Sequence, residues 1–330
     1  MTDMLYWQAL HRALDLEMDI DESVLVLGED VGLFGGTYRV TEGLMAKYGE
    51  WRVRDTPISE NSFTGLGVGA AMLGLRPVVE IMTVNFALLA LDALINMAAK
   101  IPFMSGGQFP MGLTVRMPGG VARQLGAQHS QRLEHTLMNV PGLRIVVPAT
   151  PQDAFWQLRQ AIHSDDPLIV LEHELLYFRK GQVDETVPPL LLHQAKIVRE
   201  GRTLSCIAYS RMVEVALEAA DILAGMGIDM EVINLRSLSP IDWDSCQNSV
   251  QKTHRCLVVE EDCVFAGAGA ELVATLQDRC FYFLDAPVLR VGGINLPTPF
   301  SAALEAESIP RPDTVVQSAR DLVSRAGNTK

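Results

Sequence analysis

Cysteine, positive charge and unbroken apolar runs are all scarce in this sequence. The five cysteines, Cys206, Cys246, Cys256, Cys263 and Cys280, lie in the second half and form no C-x-x-C pair. An odd, scattered set argues against a disulfide framework and for small apolar core residues in a reducing compartment. Lys and Arg number 27 against 40 Asp and Glu, a net charge of −13. Nucleic acid and anionic membrane are bound through Lys/Arg-rich surface, so neither is expected as a partner. The longest apolar-rich stretch, 86–101, is interrupted by Asp92, Asn96 and Lys100 and falls short of a membrane span. Residues 1–21 mix apolar and acidic side chains without a basic n-region, so the expectation is a protein without a secretory leader, soluble and intracellular. A Gly-rich loop ending in Lys-Ser or Lys-Thr is also absent, which removes the P-loop classes.

What is present is alternation. At 330 residues the chain is long enough for two cores. The pattern predicts a helix over 4–18, strands at 24–27 and 77–82, a helix over 86–100, and strands at 113–117 and 143–147. A helix opened by Pro151 and a strand at 168–171 follow. Strands apolar on both faces and separated by helices indicate a parallel sheet covered by helices. The pattern breaks around Pro188-Pro189 and then restarts with strands at 204–209, 230–234, 256–259 and 288–291, interleaved with helices at 211–224, 242–252 and 268–277. The expectation is two α/β parallel-sheet domains in series, 1–185 and 197–330, joined by a linker at 186–196.

Loops after the carboxyl ends of parallel strands are where open α/β sheets place ligands. The richest such stretch is Asp55-Thr56-Pro57-Ile58-Ser59-Glu60, followed by Gly65-Leu66-Gly67-Val68-Gly69. A dinucleotide fingerprint turns directly from strand to helix, and here Ile58-Ser59-Glu60 intervenes. The small residues instead suit a helix packed tightly on its neighbours. Glu60 is placed at the start of that helix, where the dipole favours a carboxylate, and simple capping would account for its position.

The residues Asp55-Thr56-Pro57-Ile58-Ser59-Glu60, Gly69-Ala70-Ala71-Met72 and Gly74-Leu75-Arg76-Pro77 resemble the β subunits of the pyruvate dehydrogenase E1 family. So do Leu27-Gly28-Glu29-Asp30-Val31-Gly32, Asn85-Phe86, Ser105-Gly106-Gly107, Gly126-Ala127-Gln128-His129-Ser130-Gln131 and Pro141-Gly142-Leu143. The resemblance reaches Leu284-Asp285-Ala286-Pro287 and Pro297-Thr298-Pro299-Phe300, so it covers essentially the whole chain. It implies a thiamine-diphosphate-binding fold of the pyrimidine type, followed by a transketolase C-terminal-like domain.

The resemblance also implies roles. Glu60 matches the glutamate that hydrogen-bonds N1′ of the aminopyrimidine and favours the imino tautomer, whose 4′-nitrogen takes the proton from thiazolium C2. The cofactor then carries the decarboxylation of a 2-oxoacid. Phe86 matches the aromatic stacked on the pyrimidine; it is also the first core position of the helix over 86–100, and one ring with two faces can serve both. His129 matches a residue that binds or protonates the intermediate, or assists acyl transfer to the lipoyl group of E2. His135 matches no family position and is left structural. Glu29 joins the cofactor-binding set, and Glu29 with Asp30 forms a carboxylate pair open to two readings, relaying protons between active sites or merely facing the partner subunit, acidic residues at strand ends being usually solvated. A structural potassium ion is implied at Leu113, Ala161, Ile162 and Asp166, largely through main-chain oxygens. At Ser164, in the same loop, the family is usually acidic.

Thiamine-diphosphate enzymes hold the diphosphate through Mg²⁺ with a Gly-Asp-Gly motif, and none occurs in this chain. The charged end of the cofactor and its Mg²⁺ are therefore expected mainly from an E1 α subunit, in an α₂β₂ heterotetramer. By the same resemblance the second domain serves assembly and docking of E2 dihydrolipoyl acetyltransferase, and residues 123–134 look most like plastid and cyanobacterial pyruvate-specific members. The expected reaction is oxidative decarboxylation of pyruvate with acetyl transfer to E2, leading to acetyl-CoA, in a bacterial cytoplasm or a plastid stroma. A branched-chain 2-oxoacid or acetoin dehydrogenase β subunit is the near alternative. A nicotinamide-dependent oxidoreductase and a non-catalytic interaction subunit are the distant ones.

Overall fold

A computed structural model describes residues 1–121, 123–186 and 190–327. The Pro188-Pro189 break in the expected linker lies outside the described residues. The chain divides into two compact units: Met1–Gly119 with Thr136–Leu192, and Gly120–His135 with the chain from His193 onward.

The first unit is built on parallel strands in the order Arg144–Val146, Leu168–His173, Thr114–Gly119, Arg76–Glu80, Val24–Gly28 and Val53–Asp55. The central strands are apolar on both faces and buried on both: Val24, Val26, Val78, Val79, Leu168 and Val170 have no exposed surface. In helix Tyr6–Ile20 the buried residues Tyr6, Ala9, Leu10, Ala13, Leu14 and Met18 recur at three- and four-residue steps, a single apolar face. That helix packs on Pro151–Ile162, whose first turn is capped by the Thr150 hydroxyl accepting from the Asp153 N–H at 3.1 Å.

Two expectations need correction. The first helix begins at Tyr6, because Thr2–Leu5 pairs antiparallel with Lys180–Val183 and takes its backbone bonds from that strand. The helix expected over 86–100 is two pieces, a 3₁₀ stretch Val84–Ala90 and a π stretch Asp92–Ala98. The Ala93 N–H donates to Asn61 Oδ1 at 3.2 Å, and the Ala99 N–H reaches back five residues to the Leu94 carbonyl at 3.1 Å. A side chain of the neighbouring helix thus takes a backbone donor, and the helix widens around it.

The second unit carries parallel strands in the order Leu289–Gly293, Cys256–Cys263, Leu204–Ala208 and Met230–Asn234, with Lys196–Arg199 antiparallel on the far edge. Helices Met212–Ala224, Trp243–Thr253 and Ala268–Arg279 fall where the sequence pattern puts them, while the helix Pro312–Gly327 was not anticipated. Cys206, Cys246, Cys256 and Cys280 are buried and Cys263 is half-buried, all as free thiols. Among the described residues no single helix is long and apolar enough to cross a membrane.

Candidate active site

Strands Val24–Gly28, Val53–Asp55 and Arg76–Glu80 run side by side, with Gly28 opposite both Asp55 and Glu80. The residues that leave these strands therefore gather at one edge of the sheet. Gly28 is required there: a Cβ would meet the Glu80 carbonyl oxygen at 2.6 Å and Val31 Cγ1 at 2.9 Å. Just beyond it the Asp55 carboxylate accepts the N–H groups of Gly32 at 2.6 Å and Leu33 at 3.2 Å, fixing the loop that follows Glu29.

Glu29 and Asp30, adjacent in sequence, part company in space. Asp30 is exposed and turns the chain with a φ of 54°, while Glu29 is buried. Among the described residues its Oε1 has no hydrogen-bond partner. Burial, reinforced by the negative charge of Glu60 and then of Asp30, pushes the Glu29 carboxyl above its ordinary range.

Glu60 is the first residue of helix Glu60–Met72 and is 4% exposed. Ser59 does not cap this helix; its hydroxyl is hydrogen-bonded to that of Ser62 at 2.8 Å. No hydrogen bond or ion pair to the Glu60 carboxylate is found among the described residues. A cavity of about 340 Å³ is lined by Thr56, Pro57, Ser59, Ser62, Phe63 and Leu66, from the loop before Glu60 and the first two turns of its helix, with Glu60 itself outside the lining. Phe86 lies half-buried in the 3₁₀ stretch that packs on the Glu60 helix. The glycine run belongs to this helix rather than to a phosphate turn. A Cβ on Gly67 would lie 2.6 Å from Val79 Cγ2, so the helix sits on the sheet at glycine distance.

Behind this edge lies a charged core that periodicity could not reveal. Arg116, 1% exposed, donates to Glu172 through Nε at 2.9 Å and Nη2 at 2.6 Å, to Tyr177 Oη at 3.2 Å, and to Glu80. Burial alone would lower the Arg116 pKa; Glu172 and Glu80 outweigh it and hold the guanidinium charged. Burial in turn pushes Glu80 up, opposed by Arg116. Its signal in the sequence was three charged residues, Glu80, Arg116 and Glu172, next to the buried apolar positions Val79, Val115, Met117 and Leu171.

His129 is exposed on a turn where its N–H donates to the Gly126 carbonyl at 3.3 Å, in the segment 120–135 that belongs to the second unit. His135, at the end of the same segment, pairs with Asp262 at 2.6 Å and lines a cavity of about 380 Å³. Asp262 and the neighbouring Glu261 are buried at the end of strand Cys256–Cys263. Glu260 accepts from the Gly269 N–H at 2.7 Å and from Arg290 Nε at 2.5 Å, so the glycines at 267 and 269 form a turn and helix start around a carboxylate.

The loop carrying Ala161, Ile162, Ser164 and Asp166 faces a side-chain cation. Arg76 Nη1 donates to the carbonyls of Ile162 at 2.9 Å and Ser164 at 3.1 Å, and Nη2 pairs with Asp165 at 2.9 Å. The Leu113 carbonyl accepts from the Leu168 N–H, and the Ala161 carbonyl from the Ser164 N–H.

These features, two parallel-sheet units with a buried glutamate at the strand-end edge of the first, define a transketolase-type protein. The family model for the transketolase pyrimidine-binding domain matches residues 2–180, and that for the transketolase C-terminal domain matches 193–315. Such a pyrimidine-binding domain places the chain among thiamine-diphosphate-dependent enzymes. The fold is shared with a split-gene transketolase solved as an inactive β4 tetramer, at TM-score 0.79 and 20% identity, over 98% of this chain and 99% of that one. The chain is 45% identical to a pyruvate dehydrogenase E1 component subunit beta of Porphyra purpurea, over 98% of each. It is 44% identical to the chloroplastic subunit beta-2 of Arabidopsis thaliana, over 97% of this chain and 79% of that protein. It is 45% identical to a mitochondrial subunit beta-2 of Oryza sativa, over 98% and 87%. The chain belongs to the family of pyruvate dehydrogenase E1 component β subunits.

Proposed function

We propose that this chain supplies the pyrimidine-binding half of a pyruvate-decarboxylating site, with Glu60 as the carboxylate that tunes the cofactor. The observation that carries this reading is a buried carboxylate at a helix N-terminus without a partner among the described residues. Thiamine diphosphate, when bound, supplies the electron sink for loss of CO₂ from a 2-oxoacid. Glu60 offers an acceptor to a ring N–H in surroundings dry enough to strengthen that bond. Glu29, whose Oε1 has no partner among the described residues and whose carboxyl burial pushes above its ordinary range, offers a second polar contact. Phe86 offers a flat apolar face. His129 is proposed to act on the substrate-derived group, in decarboxylation or in acetyl transfer to E2.

The diphosphate and Mg²⁺ are assigned mainly to an E1 α subunit, in an α₂β₂ assembly. Two facts support a missing partner: the chain has no Gly-Asp-Gly, and Ile58, Leu66, Leu88, Leu89, Phe103 and Met104 are exposed on and around the helices that carry Glu60 and Phe86. The potassium ion at Leu113, Ala161, Ile162 and Asp166 is retained as a proposal, in competition with Arg76 for the Ile162 and Ser164 carbonyls. Pyruvate is favoured over branched-chain 2-oxoacids by the names of the relatives. Those relatives include chloroplastic and mitochondrial proteins, and a bacterial cytoplasm or a plastid stroma is the proposed compartment.

The test is reconstitution. Purified with its α chain, thiamine diphosphate and Mg²⁺, the protein should release CO₂ from pyruvate faster than from branched-chain 2-oxoacids, and should do neither alone. Turnover by this chain alone would remove the shared site.

A further inference from the structure

The described residues of the segment 120–135 have little regular structure, yet they include His129. Two adjacent carboxylates hold its two ends. At the start, the Val121 N–H donates to Glu261 Oε1 at 2.6 Å. At the end, His135 Nδ1 lies 2.6 Å from Asp262 Oδ2. Arg132, buried between them, pairs with Glu134 and stands 3.9 Å from Glu261. Two weaker ties lie along the way: the Gln124 N–H donates to Glu305 at 2.8 Å, and Thr298 Oγ1 to the Ser130 carbonyl at 3.2 Å. Successive side chains of a strand point to opposite faces, so neighbours at a strand end can reach two different points of one loop.

We infer that Glu261 and Asp262 are positioning residues that clamp the His129 segment, with the His135–Asp262 pair as its pH-sensitive end. The inference rests on the role proposed for His129. His135 faces Asp262 and Glu260 on the strand, and Arg132, Glu261 and Cys263 line the same cavity. The hydrogen bond to Asp262 raises the His135 pKa despite partial burial. A raised imidazole pKa makes the tie complete below the ordinary value of about 6.5 and loses it as pH rises through the native value.

The test uses the assembled α/β enzyme and the variants Asp262→Asn, His135→Gln, the two combined, and His129→Ala. Asp262→Asn should lower kcat about tenfold, the scale of one charge-assisted hydrogen bond, with KM for pyruvate and the melting temperature nearly unchanged. Its alkaline limb should move to lower pH, and His135→Gln should abolish that limb. The combined variant should be no worse than either single one, since both break the same tie. Hydrogen exchange of residues 121–135, corrected for intrinsic rates, should quicken in all three. Wild-type kcat, pH profile and exchange in Asp262→Asn, with His129→Ala inactive, would overturn the clamp alone. Full turnover in His129→Ala would overturn the role of His129 and the catalytic purpose of the clamp, whatever the exchange data show.

Discussion

The negative charge of Glu60 adds to the cost of ionising Glu29, across the ends of two paired strands. Burial is the larger contribution to raising the Glu29 carboxyl, with Glu60 second.

Replacing Glu60 with Gln preserves shape and removes the carboxylate. Decarboxylation in the reconstituted enzyme should fall by roughly 10²-fold or more, the range of a positioned acid–base group, with melting nearly unchanged. Steady-state CO₂ release and calorimetry on one preparation decide this, and near-normal turnover would sink the assignment.

For Glu29→Gln the sign runs the other way from a salt-bridged carboxylate. The native Glu29 holds its proton above the pH at which the unfolded chain releases it, so ionisation above the ordinary glutamate range of about 4.3 costs native stability. The Gln variant should therefore gain stability relative to the native chain as pH rises from 4 to 7, and show no gain at pH 4. Urea denaturation at both pH values measures it.

Arg116→Met leaves Glu80 and Glu172 buried without their common partner. A loss of about 3–5 kcal/mol is expected, or failure to fold. Adding Glu80→Gln and Glu172→Gln to the Arg116 variant should restore much of it, since an uncharged cluster has nothing left to neutralise. Restoration is read as a recovered urea midpoint; no recovery would show that the charges do not act as a unit.

Arg76 and an alkali ion contend for the same carbonyls. In choline buffer Arg76→Met should melt below the wild-type chain, and potassium should raise its melting temperature more than it raises the wild type's. Equal potassium effects in both proteins would show that the guanidinium and the ion do not compete.

Much of this protein was legible because its signals are local. Apolar runs of four to six residues marked most strands, the Ile58-Ser59-Glu60 interruption excluded a dinucleotide turn, and Glu60 fell at a helix start, where the structure places it. The 86–100 stretch was misread because its winding depends on Asn61, a residue 32 positions away from the N–H it captures. His135, which matches no family position, meets Asp262 from 127 positions away, a contact that no local spacing shows. The three charges Glu80, Arg116 and Glu172 stand out in the sequence, but register between strands, not spacing along one, joins them into a cluster.

The sequence by itself determined the alternation of strands and helices, the doubling of the α/β unit, the family and the absence of a diphosphate motif, since each is carried by contiguous residues. Tertiary structure alone decided that Glu29 is buried while Asp30 is exposed, that Arg76 sits on the Ile162 and Ser164 carbonyls, and that Glu261 and Asp262 hold the His129 segment. Those are matters of desolvation and of charges meeting across the fold, and no local pattern encodes them.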